Sequence, residues 1–246
     1  MSNAASRAAQ MEAVYEFFGG VASQLSSASG AGAASIETTG SFSAGDAIEV
    51  DVLGDPSEVN VVTAVSGTGP YSVSLQTPLA YAHAQGSIVS TFRSPCSITG
   101  ITTVLRGEPF EIADEILPVL VVTVPDSTEY RSGGTSKIRG LPQFKGIDFK
   151  IRLMVGALLS GAKSKDQGAQ LLTSFYDTLD RIGNHIRGSD LQNPSDAKIL
   201  LTPNFPQGAS FRFGEDFTIR EVHERQENTL KIVAQIETVS TELVNA

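Results

Sequence analysis

Residues 147–159 read IDFKIRLMVGALL, and this stretch decides the fold. Ile147, Phe149, Ile151, Leu153 and Val155 fall on one side, and Asp148, Lys150 and Arg152 on the other. A period of two over this length predicts a strand with one face on a core and one turned away. Downstream, DQGAQLLTSFYDTLDRIGNHIRG (166–188) changes the period. Leu171, Leu172, Phe175, Leu179, Ile182 and Ile186 recur at three and four, as on an amphipathic helix, and Gly188 stands where a C-cap would. Upstream, PVLVVTVP (118–125) is a nearly continuous β-branched run, the pattern of a strand covered on both faces. KILLTP (198–203), ASFRFG (209–214), FTIREVHE (217–224) and TLKIVAQIETVSTELV (229–244) also read as strands, and so does SITGITTVLRG (97–107). Strands that follow one another without helical crossovers predict an α+β fold with a mainly antiparallel sheet packed against helices.

The other helix is expected over residues 4–27, where Met11, Val14, Phe18, Val21 and Leu25 share a face, with Gly19-Gly20 as an interruption. SSASGAGAAS (26–35) has the composition of a linker. Short strands with turns follow: AIEVDVL (47–53), VNVVTAV (59–65), YSVSLQ (71–76) and GSIVSTF (86–92). They predict a small all-β unit over 31–93, inserted into an α+β domain made of 1–30 and 94–246. Charge divides the same way. Residues 1–95 carry eight acids and two bases, whereas 96–246 carry 19 acids and 16 bases.

The whole chain has 246 residues and a net charge of −9, which disfavours wrapping nucleic acid with its entire surface. The single cysteine, Cys96, forms no internal disulfide, which suits a reducing compartment. No apolar run approaches the ~20 residues of a membrane helix, and the N-terminal segment lacks the apolar stretch of a secretory signal.

Motifs for chemistry are sparse. His83, His185 and His223 lack metal-ligand spacing and read as exposed polar residues, and HERQE (223–227) is not the zinc-protease pattern. Neither a nucleophile elbow nor a phosphate loop occurs. GAKSKD (161–166) and GAGAAS (30–35) lack the glycine spacing of nucleotide-binding loops. Glu108, Glu111, Asp114 and Glu115 read as a solvated loop, and Cys96 as a buried thiol. No cofactor, metal or catalytic residue is expected. One interval departs from the acidic background. Residues 131–165 hold eight bases (Arg131, Lys137, Arg139, Lys145, Lys150, Arg152, Lys163 and Lys165) against one acid, Asp148. A basic, glycine-rich excursion of this kind suits an acidic neighbour or passing DNA. It lacks the aromatics of a single-strand platform.

The order of elements resembles the tail terminator (tail completion) proteins of long-tailed bacteriophages. A helix leads to ITGITTVLRGEP (98–109) and LPVLVVTVPD (117–126); a glycine-rich excursion, GIDFKIRLMVGAL (146–158), a helix at 171–188 and LKIVAQIETVSTEL (230–243) follow. The likeness covers about residues 4–27 and 97–246. The stretch 36–93 departs from it and is similar to short barrel modules of phage structural proteins. The resemblance implies a non-enzymatic virion protein whose homohexameric ring caps the head-proximal end of the tail tube. Such a ring stops tube polymerisation and joins the tail to the neck. It implies as partners further copies of the chain, the tail tube protein, a neck or head-completion protein and genomic DNA in the lumen, with no membrane. Assembly would take place in the host cytoplasm. Arg131, Lys137, Arg139, Lys145, Lys150 and Arg152 would face the lumen or a partner. Leu230, Ile232, Ala234, Ile236 and Thr238 on the last strand would make subunit contacts, since unpaired strands are templates for pairing between chains. The alternatives are another tail or neck component (tube, connector or baseplate protein) and a surface carbohydrate-binding protein acting through 31–93. The absence of Trp counts against the latter. A small hydrolase fits least.

Overall fold

The computed structural model describes residues 7–52, 56–107, 118–132, 144–158, 165–191, 213–226 and 229–245. Two helices and twelve strands lie in them, in two six-stranded sheets that are antiparallel but for one pair. The fold is α+β.

The second sheet carries the large core. It comprises β7 (Arg93–Pro95), β8 (Thr103–Arg106), β9 (Val119–Ser132), β10 (Phe144–Leu158), β11 (Phe213–Gln226) and β12 (Thr229–Asn245), in the order β11-β12-β10-β9-β8-β7. The stretch that decides the fold is β10, in its centre; the side chains of Ile147, Phe149 and Ile151 lie outside the described residues. Leu153 and Val155 are fully buried beside Ile232, Ala234 and Ile236 of β12 and Leu120 and Val122 of β9. Helices α1 (Arg7–Phe17) and α2 (Lys165–Leu191) supply Met11, Val14, Tyr15, Phe175, Leu179 and Ile182 to the same core. The β-branched run behaves as its composition demands: Val119, Leu120, Val121 and Val122 are all inaccessible, so β9 is covered on both faces.

Three expectations for this region change. The strand at 97–107 contracts to Thr103–Arg106, and it runs parallel to β9. A parallel neighbour needs a crossover of about a dozen residues, and the acidic segment between Arg106 and Val119 has that length. Helix α2 continues past Gly188 to Leu191, so that glycine is helical rather than a cap. An interior glycine costs only about 1 kcal/mol, which a 27-residue helix packed on a sheet tolerates. KILLTP (198–203) and the acids at 108–115 lie outside the described residues, as does ASFRFG up to residue 212.

The first helix is shorter than its hydrophobic spacing suggests. It ends at Phe17, where Gly19 takes φ +103° and comes so near the Pro95 carbonyl that a Cβ would stand 2.7 Å from it. A Cβ on Gly20 would run into the Tyr15 ring. Both glycines are therefore required, and the chain turns away. Met11, Val14 and Phe18 enter the large core, whereas Leu25 enters a second one with Val21 against it.

That second core is enclosed by the first sheet, with order β1-β6-β3-β4-β5-β2: β1 (Ala22–Gln24), β2 (Ser35–Thr38), β3 (Ala47–Val50), β4 (Glu58–Ser66), β5 (Tyr71–Leu75) and β6 (Ile88–Thr91). Ile36, Ile48, Val50, Val62, Val73 and Val89 fill it. The two ends of the sheet meet. Leu25 bridges Thr38, Ser26 N–H donates to the Glu37 carbonyl, and Thr39 N–H donates to that of Gln24. Closure removes the free edges a six-stranded sheet would otherwise present. The small sheet thus begins at β1, inside the expected helix, and not at residue 31. The linker-like stretch 26–35 is also held: Ser29 and His83 exchange backbone hydrogen bonds, Gly32 N–H donates to Leu79, and Leu79 N–H donates to Ala33.

Candidate functional site

The two sheets meet at a buried polar junction that spacing alone does not reveal. Arg106 on β8 reaches Glu49 on β3 (Nη1 to Oε2, 2.8 Å) and Glu12 on α1 (Nε to Oε1, 3.2 Å), with its side chain 3% exposed. Its Nε donates to the Thr91 carbonyl on β6, and its guanidinium sits 4.9 Å from the centre of the Phe92 ring. Tyr15 Oη, Thr91 Oγ1 and Ser94 Oγ form a closed triangle at 2.9–3.0 Å beside it. Ser90 donates to Glu12. Burial pushes Glu12 up to about 7, against the opposing pull of Arg106 and Ser90. One turn along, burial and then the Glu12 charge push Glu16 up to about 8. One cation thus faces two carboxylates, and the closer of them is Glu49. The arrangement binds helix, barrel and sheet together. Ser90 and Glu12 are both buried within it, and the arrangement does not by itself define a reaction.

The acidity of the first 95 residues acquires a structural meaning here. Glu12 and Glu49 are turned to Arg106; Glu58 caps a loop; Asp46 accepts from the Ser43 N–H. Much of that charge is internal wiring.

The basic candidates separate into three sets. Lys150 and Arg152 both reach Glu237 Oε1, at 3.2 and 3.3 Å, and Gln235 donates to the same oxygen. Burial acts against the Glu237 charge, but Lys150, Gln235 and Arg152 outweigh it and hold this carboxyl below the usual range. Arg152 and Glu237 are ladder partners, and Arg220, on the neighbouring β11, is exposed. This charged group alternates along β10 and β12 with the buried Leu153 and Ile236, so it lies on the sheet face opposite the helices. Arg131 and Lys145 are directly paired between β9 and β10, in a three-stranded extension that continues past the short β8 to Val244 of β12. Lys137 and Arg139 lie outside the described residues, as does Lys163.

The residues expected to make subunit contacts lie on an internal strand. Ile232, Ala234 and Ile236 are fully buried in the chain's own core, so these side chains are not available to a neighbour. Moreover β12, which also carries Leu230 and Thr238, is paired on both sides, by β10 and β11. Among the described residues the long strand with a single neighbour is β11.

Two histidines correct the expectation of exposed polar groups. His83 is 3% exposed, with Nε2 2.7 Å from Glu58 Oε1. His185 is half-buried; its ring packs 4.4 Å from that of Phe17, and its Nε2 lies 3.2 Å from the Phe17 carbonyl oxygen. A lone histidine carries no period, so neither placement was readable. Cys96 is half-buried against the large core, and burial raises its thiol above the ordinary value. Among the described residues no group of three or more His, Cys, Asp and Glu stands together as for a metal ion, and no helix is long and apolar enough to cross a membrane.

No protein-family model matches the chain, and none of the curated proteins matches it significantly.

Proposed function

We propose that the chain is a non-enzymatic virion protein: a tail terminator of a long-tailed bacteriophage that carries a small barrel module inserted after its first helix. In this reading copies close into a homohexameric ring on the head-proximal end of the tail tube. The ring stops tube growth and offers its other side to a neck or head-completion protein. It resides in the virion tail after assembly in the host cytoplasm. The observation that carries the reading is the long β9-β10-β12-β11 ladder. One face of it is occupied by the chain's own helices, and it ends in a 14-residue strand with one partner among the described residues. Such an edge is a template for a neighbouring chain, and a head-to-tail contact whose rotation closes gives a ring. The opposite face, with Lys150 and Arg152 at Glu237 and the exposed Arg220 on β11, would give the ring a cationic surface toward tube or DNA.

The test is assembly. Light scattering after size exclusion should give a single closed oligomer, electron micrographs should show rings, and added protein should shorten growing tail tubes. A chain that stays monomeric and leaves tube length unchanged overturns the proposal. Unlimited homopolymers point instead to a tube component, because the same edge contact without closure gives filaments.

A further inference from the structure

We propose that His83 and Asp51 form a binding site for one divalent cation of the zinc class, on the small closed sheet. This inference does not depend on the assembly role. His83 lies in the loop between β5 and β6, and Asp51 directly follows β3. Its ring is inaccessible, yet Nδ1 has no hydrogen-bond partner. An orphaned nitrogen in a protein interior is costly, and a native fold normally satisfies it.

The other ring nitrogen bears on what Nδ1 can offer: in the neutral ring, a proton on Nε2 leaves the lone pair on Nδ1. Glu58 Oε1 lies 2.7 Å from Nε2 and accepts its proton. The Glu58 carboxylate is itself fixed by the backbone N–H groups of Ala80 and Tyr81, at 2.8 and 3.2 Å. A carboxylate that takes the far N–H of a histidine and sets its tautomer is the recurrent outer partner of metal-bound imidazole.

Across from Nδ1 stands Asp51 Oδ2, at 3.7 Å. That separation is too long for a hydrogen bond. A cation about 2.1 Å from each atom, the usual distance for zinc with nitrogen and oxygen ligands, would subtend an angle of about 120°. A water about 2.8 Å from each would be pinched to roughly 80°. The gap therefore fits a metal ion better than a bridging water. Asp51 is about one-third exposed, so solvent completes the coordination from its side. A mixed imidazole and carboxylate pair suits Zn²⁺ ahead of Mg²⁺ or Ca²⁺, which take oxygen donors. Asp51 is also the one non-glycine residue among those described with positive φ, at 62°.

The test is calorimetric titration of the untagged full-length chain with Zn²⁺, for the wild type, Asp51→Asn and His185→Asn. Asparagine tolerates the left-handed backbone, so Asp51→Asn removes the ligand charge and keeps the turn. The expected result is one Zn²⁺ per chain, bound at least tenfold more weakly by Asp51→Asn and equally well by His185→Asn. No saturable binding by the wild type, a loss below tenfold in Asp51→Asn, or weakened binding in His185→Asn overturns the site. Should Asp51→Asn not fold, the wild-type ring resonances of His83 decide: a selective shift on adding Zn²⁺ supports the site, and unmoved resonances overturn it.

Discussion

At the scale of single residues, Arg106 shows how one side chain ties distant parts of the sequence together. Glu12, Glu49 and Thr91 come from three elements and converge on one nearly inaccessible guanidinium. Removing it takes the guanidinium from two acids that have little access to water. Arg106→Ala is therefore expected to lose about 3–5 kcal/mol, the cost of breaking a buried ion pair by deleting one partner, as measured by urea unfolding. The same junction sets a pH dependence. Burial raises Glu12 and Glu16 above the unfolded carboxylate value, so the native state holds more protons than the unfolded chain. Stability contributed by these groups is then greatest below about pH 4.5 and falls as pH rises through about 7 to 8. Glu16→Gln should flatten the decline of melting temperature between about pH 5 and 8. An unchanged slope would show that Glu16 is not protonated in the fold.

At the scale of elements, the break after α1 rests on Gly19. Its positive φ and its approach to the Pro95 carbonyl leave no room for a Cβ. Gly19→Ala is expected to lose more than the ~1 kcal/mol by which alanine and glycine differ in an ordinary helix, because strain and a backbone clash add together; thermal unfolding would measure it. On β12, Ile236 is fully buried between the sheet and the helices. Ile236→Ala should cost about 2–5 kcal/mol, and its effect should appear in monomer unfolding rather than in association. The alternation of Arg152 to Val155 on β10 and the β-branched run of β9 were legible because burial repeats with the period of the backbone. The direction of β8 was not, since parallel and antiparallel pairs share that period. Nor was β1, whose three residues, Ala22–Gln24, follow a helical face without a change of spacing.

At the scale of the molecule, the small sheet has its own core and joins its own ends through β1 and β2. A fragment of residues 21–92 is therefore expected to fold alone, with cooperative melting and dispersed amide resonances. A fragment of 31–93, cut where the composition changes, lacks β1 and exposes the edge of β6. It should melt at a lower temperature or remain unfolded. Equal stability of the two fragments would mean that closure contributes little. The Arg106 junction crosses between this sheet and the larger one, so both fragments leave a half-buried carboxylate, Glu49, without its guanidinium.

The amino-acid order alone determined the α+β class, the two-sided burial of β9, the burial of Leu153 and Val155 on β10 and the amphipathic α2, since each follows from apolar side chains recurring at the period of a strand or helix. It also displayed the basic interval, because charge is counted without coordinates. Only the tertiary structure decided that β12 is internal, that the barrel begins at β1, and that His83, Glu58 and Asp51 meet. Those outcomes depend on which strand lies beside which and on where isolated polar groups find partners, and neither leaves a repeat in the sequence.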